Sequence, residues 1–226
     1  MTRIALIHAV QAAVQPIEDA FKAYWPEARR TNLLDDSLTR DREIAGDLTP
    51  ELSQRMVGLA SYVAGTGADG ILFTCSAFGK GIEAAARALP IPVLKPNEAM
   101  FDAALDVGGR IGMLATFEPA VASMEEEFHE LTRQRGSDAT IETLVVPGAR
   151  RALMANDLLE HDRLIANAAP ALHHCSAIML AHFSMASAEK AVAANSDRIV
   201  LSAPRSAIEK LKSALGQAHR EELGDT

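Results

Sequence analysis

Ala68-Asp69-Gly70-Ile71-Leu72-Phe73-Thr74-Cys75-Ser76-Ala77-Phe78-Gly79-Lys80-Gly81 is the stretch whose reading decides the fold. Ile71 to Phe73 reads as a short apolar strand that runs straight into a turn carrying a thiol. An Ala-rich helix is predicted from Gly81 to Leu89. A cysteine between the carboxyl end of a strand and the amino end of a helix stands beside unpaired backbone N–H groups. Their positive dipole end favours thiolate and is expected to lower the thiol pKa. Open α/β sheets also bind ligands just beyond the carboxyl ends of their strands.

On the amino-terminal side of that stretch, residues 3 to 7 read as a first strand ending at His8. A helix from about Gln11 to Tyr24 follows, with Val14, Ile17, Phe21 and Tyr24 on one face at three- and four-residue spacing. Pro26 stops it. A strand is predicted around Arg30 to Leu34, and Asp35 to Arg42 reads as a polar connection. Thr49-Pro50-Glu51 supplies N-cap, N1 proline and first-turn acid for the next helix, which ends at Gly65-Thr66-Gly67.

Toward the carboxyl terminus the theme repeats. Pro90 to Leu94 is a short strand, and Asn97 caps a helix to Asp106. Arg110 to Thr116 is a strand, with a helix from Glu118 to about Leu131. Thr140 to Val146 is a strand and Asp157 to Leu172 a helix. Ala177 to His182 is a second buried strand ending in a turn, Phe183-Ser184-Met185, with a helix to Asn195. Ile199 to Leu201 is a last strand, and Ala203-Pro204-Arg205 opens the terminal helix. The strands lack polar alternation, which indicates parallel sheets covered on both faces. The strand–turn–helix carrying Cys75 matches the one carrying His182. An α/β fold of two related lobes is therefore expected: 1–96 with 204–226 as the first, 97–203 as the second, and the ligand in the cleft between them.

The 226 residues suffice for one large α/β domain or two small ones. A formal net charge of −8 without Lys/Arg clusters argues against nucleic acid as a partner. No apolar run approaches the roughly 20 residues of a membrane span. The first apolar run, Ile4 to Ile7, is too short for a signal peptide. Two widely separated cysteines do not suggest a disulfide framework, so the cytoplasm is the expected compartment.

Three segments together resemble the aspartate/glutamate racemase superfamily, with its amino-acid and hydantoin racemases, maleate isomerases and arylmalonate decarboxylases. They are Gly70-Ile71-Leu72-Phe73-Thr74-Cys75-Ser76-Ala77, Arg110-Ile111-Gly112-Met113-Leu114-Ala115-Thr116, and Ala177-Ile178-Met179-Leu180-Ala181-His182-Phe183-Ser184-Met185-Ala186. The resemblance covers essentially the whole chain. It implies two Rossmann-like lobes related by a pseudo-twofold, no metal, PLP or nucleotide cofactor, and a homodimer. It also implies proton transfer by one cysteine on each side of a substrate carbon. The chain departs from that pattern at the second turn, where His182 stands in place of a cysteine. Cys175 precedes the strand and belongs to its other end. One-cysteine members include decarboxylases whose thiol reprotonates an enediolate, although there the thiol belongs to the second turn.

The expected activity is cofactor-independent racemisation or isomerisation at the carbon next to a carboxylate of a small acid. A malonate-type decarboxylase and a non-catalytic carboxylate-binding protein are the alternatives. Cys75 is the expected acid/base and His182 its counterpart. Ser76, Ala77, Thr116 and Ser184 are candidates to hold the substrate carboxylate through hydroxyls and turn amides. His8 is placed at the mouth of the site and Ser37 on a covering loop. His173-His174-Cys175 invites a metal reading, but adjacent residues do not easily converge on one ion and no spaced Cys/His partner accompanies them, so no metal is expected.

Overall fold

The computed structural model describes residues 1–224; residues 225–226, assigned above to the first lobe, lie outside the described residues. The chain divides into two compact units, Met1–Glu98 with Ala207–Thr226, and Ala99–Ser206.

The first unit opens with β1 (Arg3–His8), a 3-10 turn and α1 (Val14–Tyr24), followed by β2 (Arg29–Leu34), α2 (Ser37–Ala45) and α3 (Pro50–Gly65). Then come β3 (Gly70–Phe73), a 3-10 turn at Ser76–Phe78, α4 (Gly79–Ala88) and β4 (Val93–Leu94). The second unit takes up α5 (Glu98–Val107), β5 (Arg110–Ala115), α6 (Val121–Arg135), β6 (Thr140–Val145), α7 (Ala149–Met154) and α8 (Leu158–Ala168). It closes with β7 (Ala177–Leu180), a 3-10 turn at Phe183–Ala188, α9 (Glu189–Ala194) and β8 (Ile199–Ser202). The last helix, α10 (Ala203–Gly224), carries the chain back to the first unit.

Each unit holds one four-stranded sheet, β2-β1-β3-β4 in the first and β6-β5-β7-β8 in the second. Every strand pair is parallel. Both sheets thus follow one topology, and all strands of a unit end on the same side. β3 and β7 are buried along their whole length, as fits strands with helices on both faces.

In the first unit Ala5, Ile7, Ile71 and Phe73 point to one side and pack with Leu52, Met56, Ala60 and Val63 of α3 and with Ile82 and Ala85 of α4. Thr49 caps α3 as its spacing predicts, its hydroxyl accepting from the Leu52 N–H at 3.3 Å. Gly81 is what lets α4 lie close on α3. A Cβ there would stand 2.8 Å from Met56 Cγ and 3.2 Å from the Ser53 backbone.

Several expectations need correction. The polar connection at Asp35–Arg42 is largely helical. Leu38 is buried under α2, and Gly46, at φ 72° with its N–H bonded to the Arg42 carbonyl, closes the helix. The helix after Cys75 is preceded by a 3-10 turn and begins at Gly79. The helix at α7 has no counterpart in the sequence reading, and Asp157–Leu172 divides into α8 and a 3-10 turn.

Candidate active site

Cys75 and the residues around it sit at the carboxyl end of the first sheet. β1 and β3 run in register, Ile7 beside Phe73, and the Thr74 N–H continues the ladder by donating to the Ile7 carbonyl at 3.0 Å. Side chains alternate faces along a strand, so Thr74 falls on the α1 side with His8. Cys75 falls on the other side, against the core of α3 and α4. It is half-buried and extended, at φ −125° and ψ 122°, immediately before the Ser76–Phe78 turn.

That placement reverses the expected electrostatics. Burial pushes the Cys75 thiol up, and the Ala77 backbone N–H, which favours thiolate, does not offset it. The amino end of α4 lies beyond the intervening turn, and dipole effects fade within the first turn of a helix. Cys75 is therefore a protonated thiol at neutral pH.

His8, expected at the mouth of the site, is fully buried and supports the turn from beneath. Its Nδ1 meets Thr74 Oγ1 at 2.8 Å, and its Nε2 meets Asn32 Oδ1 at 2.8 Å. Asn32 Nδ2 donates to Glu18 Oε1 at 2.9 Å. A carboxylate only accepts, so Glu18 fixes the Asn32 amide, whose oxygen then requires a proton on His8 Nε2. His8 Nδ1 is left as acceptor for the Thr74 hydroxyl. Burial holds the imidazole below its usual pKa, against the raising influence of Asn32 and Glu18, and this keeps it neutral. Both ring nitrogens of His8 are thus engaged by Thr74 and Asn32.

Ser37 is also committed elsewhere. Its hydroxyl donates to Asp35 Oδ1 at 2.9 Å and accepts from Arg55 Nη2, while Arg55 pairs with Asp35 and Asp41. Ser37, expected on a covering loop, is the first residue of α2 and is held in this ion-pair cluster. Ser76 is half-buried and Ala77 exposed, both on the turn after Cys75.

The second unit builds the matching turn. His182 is extended, at φ −118° and ψ 147°, two residues past the end of β7 and directly before the Phe183–Ala188 turn. Its Nε2 is buried without a hydrogen-bond partner among the described residues. Burial first, and the nearby Arg150 second, lower its pKa to about 4. Thr116 is buried just past β5, and Ser184 is half-buried in the His182 turn.

Arg150 is the residue that sequence reasoning missed. It lies on α7, with its guanidinium 3.8 Å from the centre of the exposed Phe117 ring. A stacked guanidinium is pre-organised for a planar carboxylate. Its charge reaches His182, so Arg150, Phe117 and His182 form one neighbourhood. The pair Arg150-Arg151 carries no such signal in sequence, because only the fold of α7 brings one of the two to the turn.

The profile of the family described as Asp/Glu/hydantoin racemase matches residues 4–211. Among solved structures, allantoin racemase from Klebsiella pneumoniae superposes with a TM-score of 0.70 at 15% identity, over 96% of this chain and 89% of that one. Glutamate racemase isoform RacE1 from Bacillus anthracis gives 0.69 at 17%, over 96% and 82%. A double mutant of arylmalonate decarboxylase in its liganded form gives 0.65 at 17%, over 96% and 93%. At these identities the likeness is one of fold. No curated protein matches the chain.

Proposed function

This chain belongs to the Asp/Glu/hydantoin racemase family, and we propose that it is a racemase or isomerase acting at the carbon next to the carboxylate of a small acid. In this reading Cys75 and His182 are the acid and the base of the proton exchange. The observation that carries it is the pair of equivalent turns holding an acid and a base: a thiol kept protonated and an imidazole kept neutral. Each group thus rests in the protonation state that its step requires.

His182 takes the proton from the substrate carbon and becomes imidazolium. The electron pair of the broken C–H bond moves into the carboxylate, giving an enediolate. Cys75 delivers its S–H proton to the carbon, and the sulfur keeps the electron pair as thiolate. Exchange with water returns a proton to the thiolate and removes one from the imidazolium. Arg150 meets the substrate carboxylate, whose negative charge grows in the enediolate, assisted by the hydroxyls of Thr116, Ser184 and Ser76 and the Ala77 amide. These steps need only side chains and backbone amides.

A second reading, decarboxylation of a malonate-type acid, is favoured by one observation, the raised Cys75 pKa. Loss of CO2 itself leaves an enediolate, so the reaction needs a proton donor and no base. One experiment separates the readings. The protein is incubated in D2O with amino acids, hydantoins, maleate and malonates and followed by NMR. Deuterium at the α-carbon without CO2 release supports racemisation or isomerisation. CO2 release with one deuterium incorporated supports decarboxylation. Binding without either leaves a carboxylate-binding protein and overturns both.

A further inference from the structure

The far end of the second sheet holds a group of metal-ligating side chains that this chemistry does not use. Glu142 on β6, His174 and Cys175 bring a carboxylate oxygen, an imidazole nitrogen and a thiol sulfur within 4.8 Å of one another. The carboxylate is the partner that the pair His174-Cys175 lacks in sequence.

The backbone prepares this arrangement. Glu142 pairs in register with Gly112 of β5, so its side chain leaves the sheet on the face where a Gly112 side chain would stand. A Cβ at Gly112 would be 2.8 Å from Leu172 Cδ1 and 3.3 Å from Cys175 Sγ. The missing side chain is therefore the space into which the thiol packs. The loop bearing Cys175 is pinned by its N–H to the Leu172 carbonyl at 2.9 Å and by the Ser176 N–H to the Arg110 carbonyl at 2.7 Å. Cys175 is 1% exposed, whereas Glu142 and His174 keep 43% and 35% of their side-chain surface. Two ligands can thus move toward one that is fixed.

We propose that Glu142, His174 and Cys175 form a site for a borderline-soft divalent cation of the Zn2+ or Co2+ type, with water in the fourth position. Zn2+ takes N, S and O donors at about 2.0–2.3 Å, which puts tetrahedral ligand atoms roughly 3.4–3.8 Å apart. The present spacing closes to that by small rotations of the two exposed side chains. His174 Nε2 and Glu142 Oε2 already share a 2.8 Å hydrogen bond, and the ion takes the place of the proton between them. That proton moves to Nδ1 of the same imidazole, and the thiol releases its own to water. Arg110 opposes the ion, with a guanidinium nitrogen 3.7 Å from Glu142 Oε2. The site stands about 20 Å from His182 along β7, at roughly 3.3 Å per residue, and does not depend on the proposed reaction.

Titration of the whole protein with Co2+ tests this. The expected result is a thiolate-to-cobalt charge-transfer absorption that saturates at one ion per chain and persists in Cys75→Ala. The absorption disappears in Cys175→Ala. His174→Ala and Glu142→Gln, on exposed side chains, weaken binding by roughly tenfold or more, the scale of lost partners at metal sites. Arg110→Ala tightens it. Absence of the absorption, its loss in Cys75→Ala, or unchanged affinity in His174→Ala with folding confirmed by circular dichroism overturns the site.

Discussion

Cys75 and His182 hold the same place in two separate sheets. Each lies two residues beyond the third strand of its unit, in extended backbone, as the last residue before a 3-10 turn. Burial acts on both and drives their pKa values apart, raising the thiol and lowering the imidazole. Burial disfavours whichever form carries charge. Two neutral groups result, one able to give a proton and the other able to take one.

Replacing Cys75 with Ala is expected to lower turnover by about 10²–10⁴-fold, the usual contribution of a positioned acid or base. Stability should change by no more than about 1 kcal/mol, because the side chain is small and half-buried. Since burial raises the thiol pKa, iodoacetamide should modify Cys75 at neutral pH no faster than a peptide thiol. The rate should climb as pH rises past the ordinary thiol range. Peptide mass mapping measures it, and fast labelling at pH 7 would contradict the electrostatic account.

How far the sequence reveals this molecule depends on the range of the interactions involved. Strands such as Ile71–Phe73 and Ala177–Leu180 are legible because their burial on both faces requires an unbroken apolar run. Thr49-Pro50 announces α3 because capping is local. α2 is not legible, since Leu38 is its single buried residue and the rest of the segment looks like a solvated loop. The places of Cys75 and His182 follow from local pattern. Their protonation states do not, because desolvation comes from elements distant in sequence. The same applies to His8, whose partners Asn32 and Thr74 are 24 and 66 residues away. It applies equally to Arg150, whose use depends on stacking over Phe117.

Thr74→Val should remove the hydroxyl that His8 Nδ1 accepts from, leaving a buried ring nitrogen without a partner. The expected cost is about 1–3 kcal/mol, read from chemical denaturation, with Thr74→Ser close to the parent protein. A Thr74→Val variant as stable as the parent would mean that the Asn32–His8–Thr74 chain does not hold the turn.

Gly81→Ala tests how closely α4 packs on α3 behind Cys75. The added Cβ meets Met56 Cγ at 2.8 Å and, less yieldingly, the Ser53 backbone at 3.2 Å. The helices must part, at an expected cost of about 1–3 kcal/mol, although Ala is ordinarily the better helix former. Gly65→Ala is the control, because a Cβ there meets nothing within 4 Å. Thermal melts of the two variants should diverge in sign or size.

Acid should destabilise the protein through His182, and Arg150 should set how strongly. The His182 pKa falls from 6.5 in the unfolded chain to about 4 in the fold. Between those values the unfolded state binds a proton that the folded state refuses, so stability falls as pH drops from about 6.5 to 4. Below pH 4 both states carry the proton and the loss levels off. At roughly 1.4 kcal/mol per pKa unit, the full loss is about 3 kcal/mol. His8, also lowered by burial, slopes the same way, so the informative quantity is the parent protein minus His182→Asn across that window. Arg150→Met removes a positive charge that lowers the His182 pKa; the pKa should rise and the acid loss shrink. The same variant should raise KM for the carboxylate substrate and lower kcat as well, because the guanidinium meets a group that is charged at the start and gains charge in the enediolate. If Arg150→Met leaves both the acid limb and KM unchanged, the guanidinium belongs to Phe117 alone and the carboxylate is held by the turn amides.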